Sequence, residues 1–259
     1  MTTTTARPPV GLLLREWRER RRLSQLDLSI QADISTRHLS FVETGRSKPT
    51  PAMIIKLTEQ LGVPLRERNQ LLLAGGYAPE YPQHALDEPE LAAVRRALRQ
   101  VLDGHEPYPA VVINRWWELV DRNAALGGLV TGSAPHLLEP PINVLRLSLH
   151  PDGMAPRIVN LAQWRAHLLE QLHRRAAQTG DARLAELEQE VRDYPGGEEG
   201  APGATDVVLP LQLRVGDRIL SLFSIEARVG TAADVTGEEL SIETFYPADS
   251  ETARAFGAG

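Results

Sequence analysis

The chain contains no cysteine. Disulfides, thiol redox chemistry and cysteine-ligated zinc are therefore excluded, and the composition fits a cytoplasmic protein. Aromatic residues make up only 5% of the 259 residues, and lysine occurs only as Lys48 and Lys56. No apolar run approaches the ~18 residues that a membrane span needs. The first ten residues, MTTTTARPPV, lack the basic start and apolar core of a secretory signal. Also lacking are a G-x-S-x-G elbow, a G-x-x-x-x-G-K-[ST] phosphate loop and an H-E-x-x-H pair. The seven histidines are scattered, and the closest pair on a predicted helix, His167 and His173, falls on different faces. No catalytic residue, metal site or cofactor is expected.

What is present begins with a charge asymmetry. Residues 1–75 carry 12 Lys and Arg against 7 Asp and Glu, while the remainder carries 16 against 27. A basic module joined to an acidic one points to a polyanionic partner for the first part only.

The most informative stretch is Leu23 to Pro49, LSQLDLSIQADISTRHLSFVETGRSKP. Ser24 with Asp27 three residues on reads as a capping box, and Leu26, Leu28 and Ala32 give the following helix an apolar side. Asp33 tolerates the left-handed backbone of a sharp turn. Ser35 caps a second helix, on which Leu39 and Val42 face inward with Ile34, and Gly45 ends it. Two short helices about a tight turn form a helix-turn-helix, whose second helix enters the DNA major groove. The segment resembles the helix-turn-helix of the Cro/C1-repressor-like (XRE) regulators, through the next two helices to about Gly76. It departs from that family at Asp33, where glycine is usual, and at Ser29, where alanine is usual.

Around this motif the chain divides into four parts. Residues 1–10 read as a disordered tail, and Leu12 to Arg22 as a basic helix with Leu13, Leu14 and Trp17 as its apolar stripe. Thr50-Pro51 opens a fourth helix and Pro64 a fifth, closed by Gly75-Gly76. Residues 11–76 are thus predicted to form an all-α, five-helix, lambda-repressor-like DNA-binding domain. Residues 77–104 form a proline-bearing linker and an amphipathic helix, Glu90 to Leu102, with Leu91, Val94, Leu98 and Val101 on one side. This helix either bridges the two domains or pairs with a second subunit.

Residues 105–259 are predicted to be α+β with an antiparallel sheet. Ala110 to Ile113 reads as a buried strand, Trp116 to Val120 as its partner, and Asp121-Arg122-Asn123 as an exit turn or helix cap. Ala124 to Val130 suits one or two helical turns. Asn143 to His150 fits strand or helix equally. Asn160 and Asp181 read as caps of two longer helices, and residues 195–206 as a flexible acidic loop. Val207 to Val215 alternates as a strand, Gly216-Asp217 turns it, Ile219 to Ala227 returns as a central strand, and Leu240 to Tyr246 supplies another. The stretches PAVVINRWWELVDRNAAL and NVLRLSLHPDGMAPRIVNLAQW, with the closing hairpin, resemble the PAS-like ligand-binding domain of the MmyB-like regulators, which are XRE-type transcription factors.

Candidate site residues follow. On the recognition helix, Arg37 points away from Leu39 and Val42 and can grip guanine through two hydrogen bonds. Thr36, His38 and Ser40 are further candidates, and Ser35 serves as a cap or a contact. Arg46 and Lys48 suit phosphates, and the family resemblance gives Gln25 a phosphate too. For a ligand the candidates are Trp117, Asn123, Arg146, Asn160, Trp164 and Phe223. Arg146 sits between two leucines and needs a partner, either an acidic ligand headgroup or an internal salt bridge. The expected protein is a DNA-binding transcriptional regulator, a homodimer on double-stranded operator DNA. Its second domain senses a small, apolar or fatty-acid-like effector. Two other readings stay open: a second domain that only dimerises or docks a protein, and an enzyme with an accessory helix-turn-helix.

Overall fold

A computed structural model describes residues 8–196, 208–230 and 232–257. The predicted tail up to residue 7 and the acidic loop from residue 197 on lie outside these residues. Two compact units are present. The first comprises Met1–His84 with Ala177–Thr179 and Ala232–Glu238, and the second comprises Ala85–Ala176, Gly180–Thr231 and Glu239–Gly259.

The first unit is built on α1 (Val10–Arg20), α2 (Gln25–Gln31), α3 (Thr36–Glu43), α4 (Pro51–Gln60) and α5 (Leu65–Ala74). The first helix opens two residues before the predicted Leu12, and Val10 is buried. The helix starts follow local chemistry. Ser24 and Asp27 form the reciprocal capping box, Ser35 Oγ accepts from His38 N, and Thr50 Oγ1 accepts from Met53 N with Pro51 next. Asp33 takes a φ of 46° and so makes the turn that glycine makes elsewhere. Leu14, Trp17, Leu28, Leu39, Val42, Ile54 and Leu57 fill the core. Leu26 does not join it: the inward positions fall to Leu28 on α2 and to Ala32 just after it, and Leu26 is 57% exposed. After α5 the chain runs without helix as far as Asp87. Asn69 holds the start of this arm, accepting from Glu80 N and Tyr81 N and donating to Tyr81 O.

One interaction in this unit has no local signature. Arg18, placed by its neighbours on a basic helix face, is buried. Its Nε and Nη2 donate to the two carboxylate oxygens of Glu43 at 2.7 and 2.9 Å, and Nη1 donates to Leu23 O. The fork locks α1 to the end of α3.

In the second unit, α6 (Ala92–Gly104) precedes β1 (Ala110–Ile113), β2 (Leu119–Arg122), α7 (Leu126–Val130), α8 (Val144–Leu149), α9 (Leu161–Thr179) and α10 (Ala182–Arg192). Then come β3 (Leu211–Val215) and β4 (Arg218–Arg228), α11 (Val235–Glu239), of which all but Glu239 belongs to the first unit, and, again in the second unit, β5 (Ser241–Pro247) and α12 (Ser250–Ala255). The strands form one antiparallel sheet in the order β2-β1-β5-β4-β3. Side chains alternate across it. Val111, Leu213, Leu220, Leu222 and Phe245 meet Trp164, Leu168 and Leu172 of α9 and the apolar residues of α8 and α10 in the main core. Ala110, Val112 and Ile242 face the other way, against Val94, Leu98 and Leu102 of α6.

Two strand boundaries and the packing of one strand differ from expectation. Trp116 to Glu118 is a turn rather than strand: Asn114 Oδ1 accepts from Trp116 N and Glu118 N, and β2 begins only at Leu119, so Asp121 and Arg122 are strand residues. The strand before the hairpin begins at Leu211, past Pro210, which has no N–H to give to a ladder. Ile219 to Ala227 is an interior strand but is not apolar-packed on both faces, since Ile219 and Ile225 are 40% and 51% exposed. Asn143 to His150 resolves as a helix, with Asn143 capping α8 through Leu145 N and Arg146 N. No helix among the described residues is long and apolar enough to cross a membrane.

Candidate functional sites

The recognition helix α3 presents one face to its own core and another outward. Leu39 and Val42 are fully buried, whereas Arg37 is exposed and His38, Ser40 and Phe41 are half-buried. Arg46 and Lys48, past Gly45, are exposed. Ser35 spends its hydroxyl on the helix N-terminus. Thr36 is turned towards α2, its hydroxyl 2.8 Å from that of Ser29, so it is less free for a base than its position implies. Gln25 donates one amide N–H to Glu43 Oε2 at 2.8 Å and so belongs to the Arg18–Glu43 network. A glutamine amide has a second N–H, which leaves one for a phosphate. Lys48 Nζ lies 5.0 Å from the centre of the Tyr77 ring, and Tyr77 OH donates to Pro49 O, so the loop after α3 is propped by an aromatic pillar.

Sequence reasoning passed over Phe41. It is i+4 from Arg37, whose guanidinium carbon lies 5.3 Å from the ring centre, and Arg46 reaches the same ring at 5.9 Å. It is not among the side chains packed on the first core. A half-buried phenylalanine without core partners, on the outward face of a recognition helix, was the available signal.

The second site is a cavity inside the second unit, between the sheet and its helices. Its walls are Val111, Leu211 and Phe245 from strands, Leu126 and Leu129 from α7, Leu145 and Leu147 from α8, and Trp164 and Leu168 from α9, with Trp117 and Met154. The cavity volume is about 80 Å³. Trp117 has a φ of 59°, a left-handed backbone that a bulky residue seldom adopts. Its neighbours hold it there: Trp117 N donates to Asn114 O, and Val144 N donates to Trp117 O. Such strain of roughly 1–3 kcal/mol persists only where the surroundings over-determine it.

Three polar residues, Ser148, Gln171 and Glu243, interrupt the apolar wall. Trp164 Nε1 donates to Ser148 Oγ at 3.0 Å, and Gln171 Nε2 lies 2.6 Å from His167 Nε2. Burial pushes the Glu243 carboxyl above its ordinary range, against the Ser224 hydrogen bond. The residue directly across the ladder is Glu226, which accepts from Arg175 at 3.1 Å. Arg175 stacks 3.9 Å over the Trp117 ring, and burial draws its pKa down to about 10.

The cavity gathers only two of the six ligand candidates, Trp117 and Trp164. The other four are engaged elsewhere. Asn123 is a buried latch: Oδ1 accepts from Ala110 N, and Nδ2 donates to Tyr108 O and Leu102 O. Arg146 forms a two-pronged pair with Glu190 at 2.8 and 2.6 Å, the internal salt bridge. Asn160 does not cap α9 with its side chain; it donates to Pro210 O and accepts from Gln212 N, tying the helix start to β3. Phe223 lies between Leu222 and Ser224, on the opposite face of β4, where it stacks on its cross-strand neighbour Tyr246.

Comparison with known proteins bears on both sites. A family model described as the MmyB-like transcription regulator ligand binding domain matches residues 94–258. A helix-turn-helix model matches residues 14–68. Proteins named uncharacterized HTH-type transcriptional regulator from Mycobacterium bovis and Mycobacterium tuberculosis are 34% identical over 101 residues. That match spans 39% of this chain and 40% of the length of each relative.

Proposed function

We propose, for a chain that belongs to the MmyB-like transcription regulators and carries a DNA-binding helix-turn-helix, that it senses a small apolar molecule and alters DNA binding in response. The observation that carries this reading is the apolar cavity between sheet and helices, roofed by two tryptophans. In this scheme residues 11–76 bind an operator, residues 77–104 connect, and residues 105–259 bind the effector in the cytoplasm. Arg37, His38 and Ser40 face bases. Gln25, Arg46 and Lys48 hold phosphates, with Ser35 and Thr36 ordering the helix start.

The effector is an apolar or fatty-acid-like compound. The open volume is smaller than the ~150 Å³ dry cavity that admits benzene, so a long chain must push the walls apart. Flexible Met154 on that wall is suited to such movement. Effector binding acts on DNA only if it prefers one arrangement of the protein over another. The test is a melting series with fatty acids, alcohols and alkanes, followed by DNA-binding titrations with and without any compound that raises the melting temperature. Uniformly flat melting curves would sink the sensor reading.

A second reading is favoured by a separate observation. Beside α6 an open apolar groove is formed by Val94, Leu98 and Val101 with Ala227, Val229 and Ile242. Val101 is 46% exposed in it. A homodimer that covers this groove would carry two recognition helices, as many as a two-fold operator has half-sites. If the melting curves are flat and Val101→Glu converts a dimer to a monomer, the second unit is a dimerisation module.

A further inference from the structure

We propose that Phe41 is a specificity-determining residue that packs on the 5-methyl group of a thymine, beside the base pair that Arg37 reads. The inference rests on the DNA-binding role of α3 and not on the effector.

Three observations lead to it. Phe41 is half-buried, yet it is absent from the apolar core of its unit, where Leu39 and Val42 already supply the inward positions of α3. It shares the outward face with Arg37, one turn earlier. Two guanidinium groups flank its ring, Arg37 at 5.3 Å and Arg46 at 5.9 Å. A half-buried phenylalanine that meets two arginines and stands outside the core has no packing role that the core requires. Against DNA it has one. One helical turn advances about 5.4 Å, between one and two base-pair steps, so residues 37 and 41 reach neighbouring pairs.

The chemistry narrows the target. Phenylalanine has no hydrogen-bonding atom, so it cannot read the donor and acceptor pattern of a base edge. The apolar feature of the major-groove edge is the thymine methyl, and phenylalanine is among the side chains that contact it. Arg37, held against the ring, keeps its N–H groups for guanine O6 and N7. The pair therefore specifies a thymine next to a guanine in each half-site. Arg46, past the end of the helix, stays with the backbone.

The experiment uses the full chain. Operator sequences are selected from a random duplex library, and each thymine in the winner is then replaced singly by deoxyuridine, which removes the methyl and leaves every hydrogen bond. Binding is measured for the native protein and for Phe41→Ala and Phe41→Leu. At one thymine per half-site, deoxyuridine should weaken the native protein about fourfold, the weight of one buried methyl. The same replacement should leave Phe41→Ala unchanged and weaken Phe41→Leu partially. Circular dichroism and melting confirm that both variants are folded. If no thymine is sensitive, or if the sensitivity persists in Phe41→Ala, the proposal is overturned. The deoxyuridine scan on the native protein decides the first point even should a variant fold poorly.

Discussion

The two units differ in where the candidate site lies relative to the unit's own core. In the first, the site is an outward face: α3 turns Leu39 and Val42 in and leaves Arg37 and Phe41 out. In the second, the site is a hollow among buried leucines and tryptophans. The difference teaches where stability and function compete. A residue on the outside of α3 is changed at little structural cost, while the apolar residues of the cavity wall belong to the core as well. Mutations therefore separate binding from folding in the first unit and confound them in the second.

The largest effect tests whether the first unit's outward site depends on anything buried. Arg18→Ala would leave the carboxylate of Glu43, with a side chain only 1% exposed, without its forked partner. Removing one partner of a buried pair costs about 3–5 kcal/mol. Urea unfolding should show that loss, and the double variant Arg18→Met with Glu43→Leu should recover much of it. Recovery of stability without recovery of DNA affinity would show that the pair also positions Gln25, which donates to the same carboxylate.

Next comes a substitution aimed at the hollow. Leu147→Phe adds volume to the cavity wall and should cost about 1–3 kcal/mol through overpacking. Any compound that stabilises the native protein by about 2.7 kcal/mol at a hundredfold excess over its Kd should lose most of that shift in the variant. DNA affinity without the compound should be unchanged. A variant that keeps the full ligand shift would move the binding site elsewhere in the unit.

Legibility in the sequence follows the same division. Caps and turns are short-range, so Ser24, Asp27, Asp33, Ser35 and Thr50 were readable as they stand. The five strands and the two longer helices of the second unit were readable too, because alternation and turn chemistry are local, whereas α8 was left between strand and helix and α12 was not foreseen. What escaped was set by distant partners. Arg18 reads as one more surface arginine until Glu43 arrives 25 residues later. Asn123, Asn160 and Arg146 have the polarity of ligand-binding groups, but each finds a protein partner across the fold. Phe223 was misplaced by strand register alone, since a single step along β4 exchanges the cavity face for the other.

On the outward face, Arg37→Ala and Arg46→Ala should differ in kind. A bidentate arginine–guanine contact discriminates by roughly 1–3 kcal/mol, so Arg37→Ala should relax preference at one base pair. Arg46→Ala should weaken every sequence about equally and lower the salt slope by about one unit per half-site. Binding to operator, single-base variants and random DNA at several salt concentrations separates the two. Both exposed side chains should change stability by no more than about 0.5 kcal/mol. Equal loss on every sequence for Arg37→Ala would make Arg37 a backbone contact.

The smallest effect probes the polar interruption in the cavity wall. Burial raises the Glu243 carboxyl above its unfolded value, which means that the folded protein binds a proton more tightly there than the unfolded chain does. The stability this proton supports is fully present below the unfolded pKa. It is lost as the pH rises through the raised folded value, where the group must ionise beside Glu226 or pull the structure open. Glu243→Gln keeps the shape and the hydrogen bonding but cannot ionise. The native protein and the variant should thus melt alike below the unfolded carboxylate pKa, and the variant should gain on the native protein as the pH rises above it. Paired melting curves across that range, without ligand, read the difference directly. A gap that stays constant with pH would mean that Arg175, stacked on Trp117 and joined to Glu226, already neutralises the site and that Glu243 titrates normally.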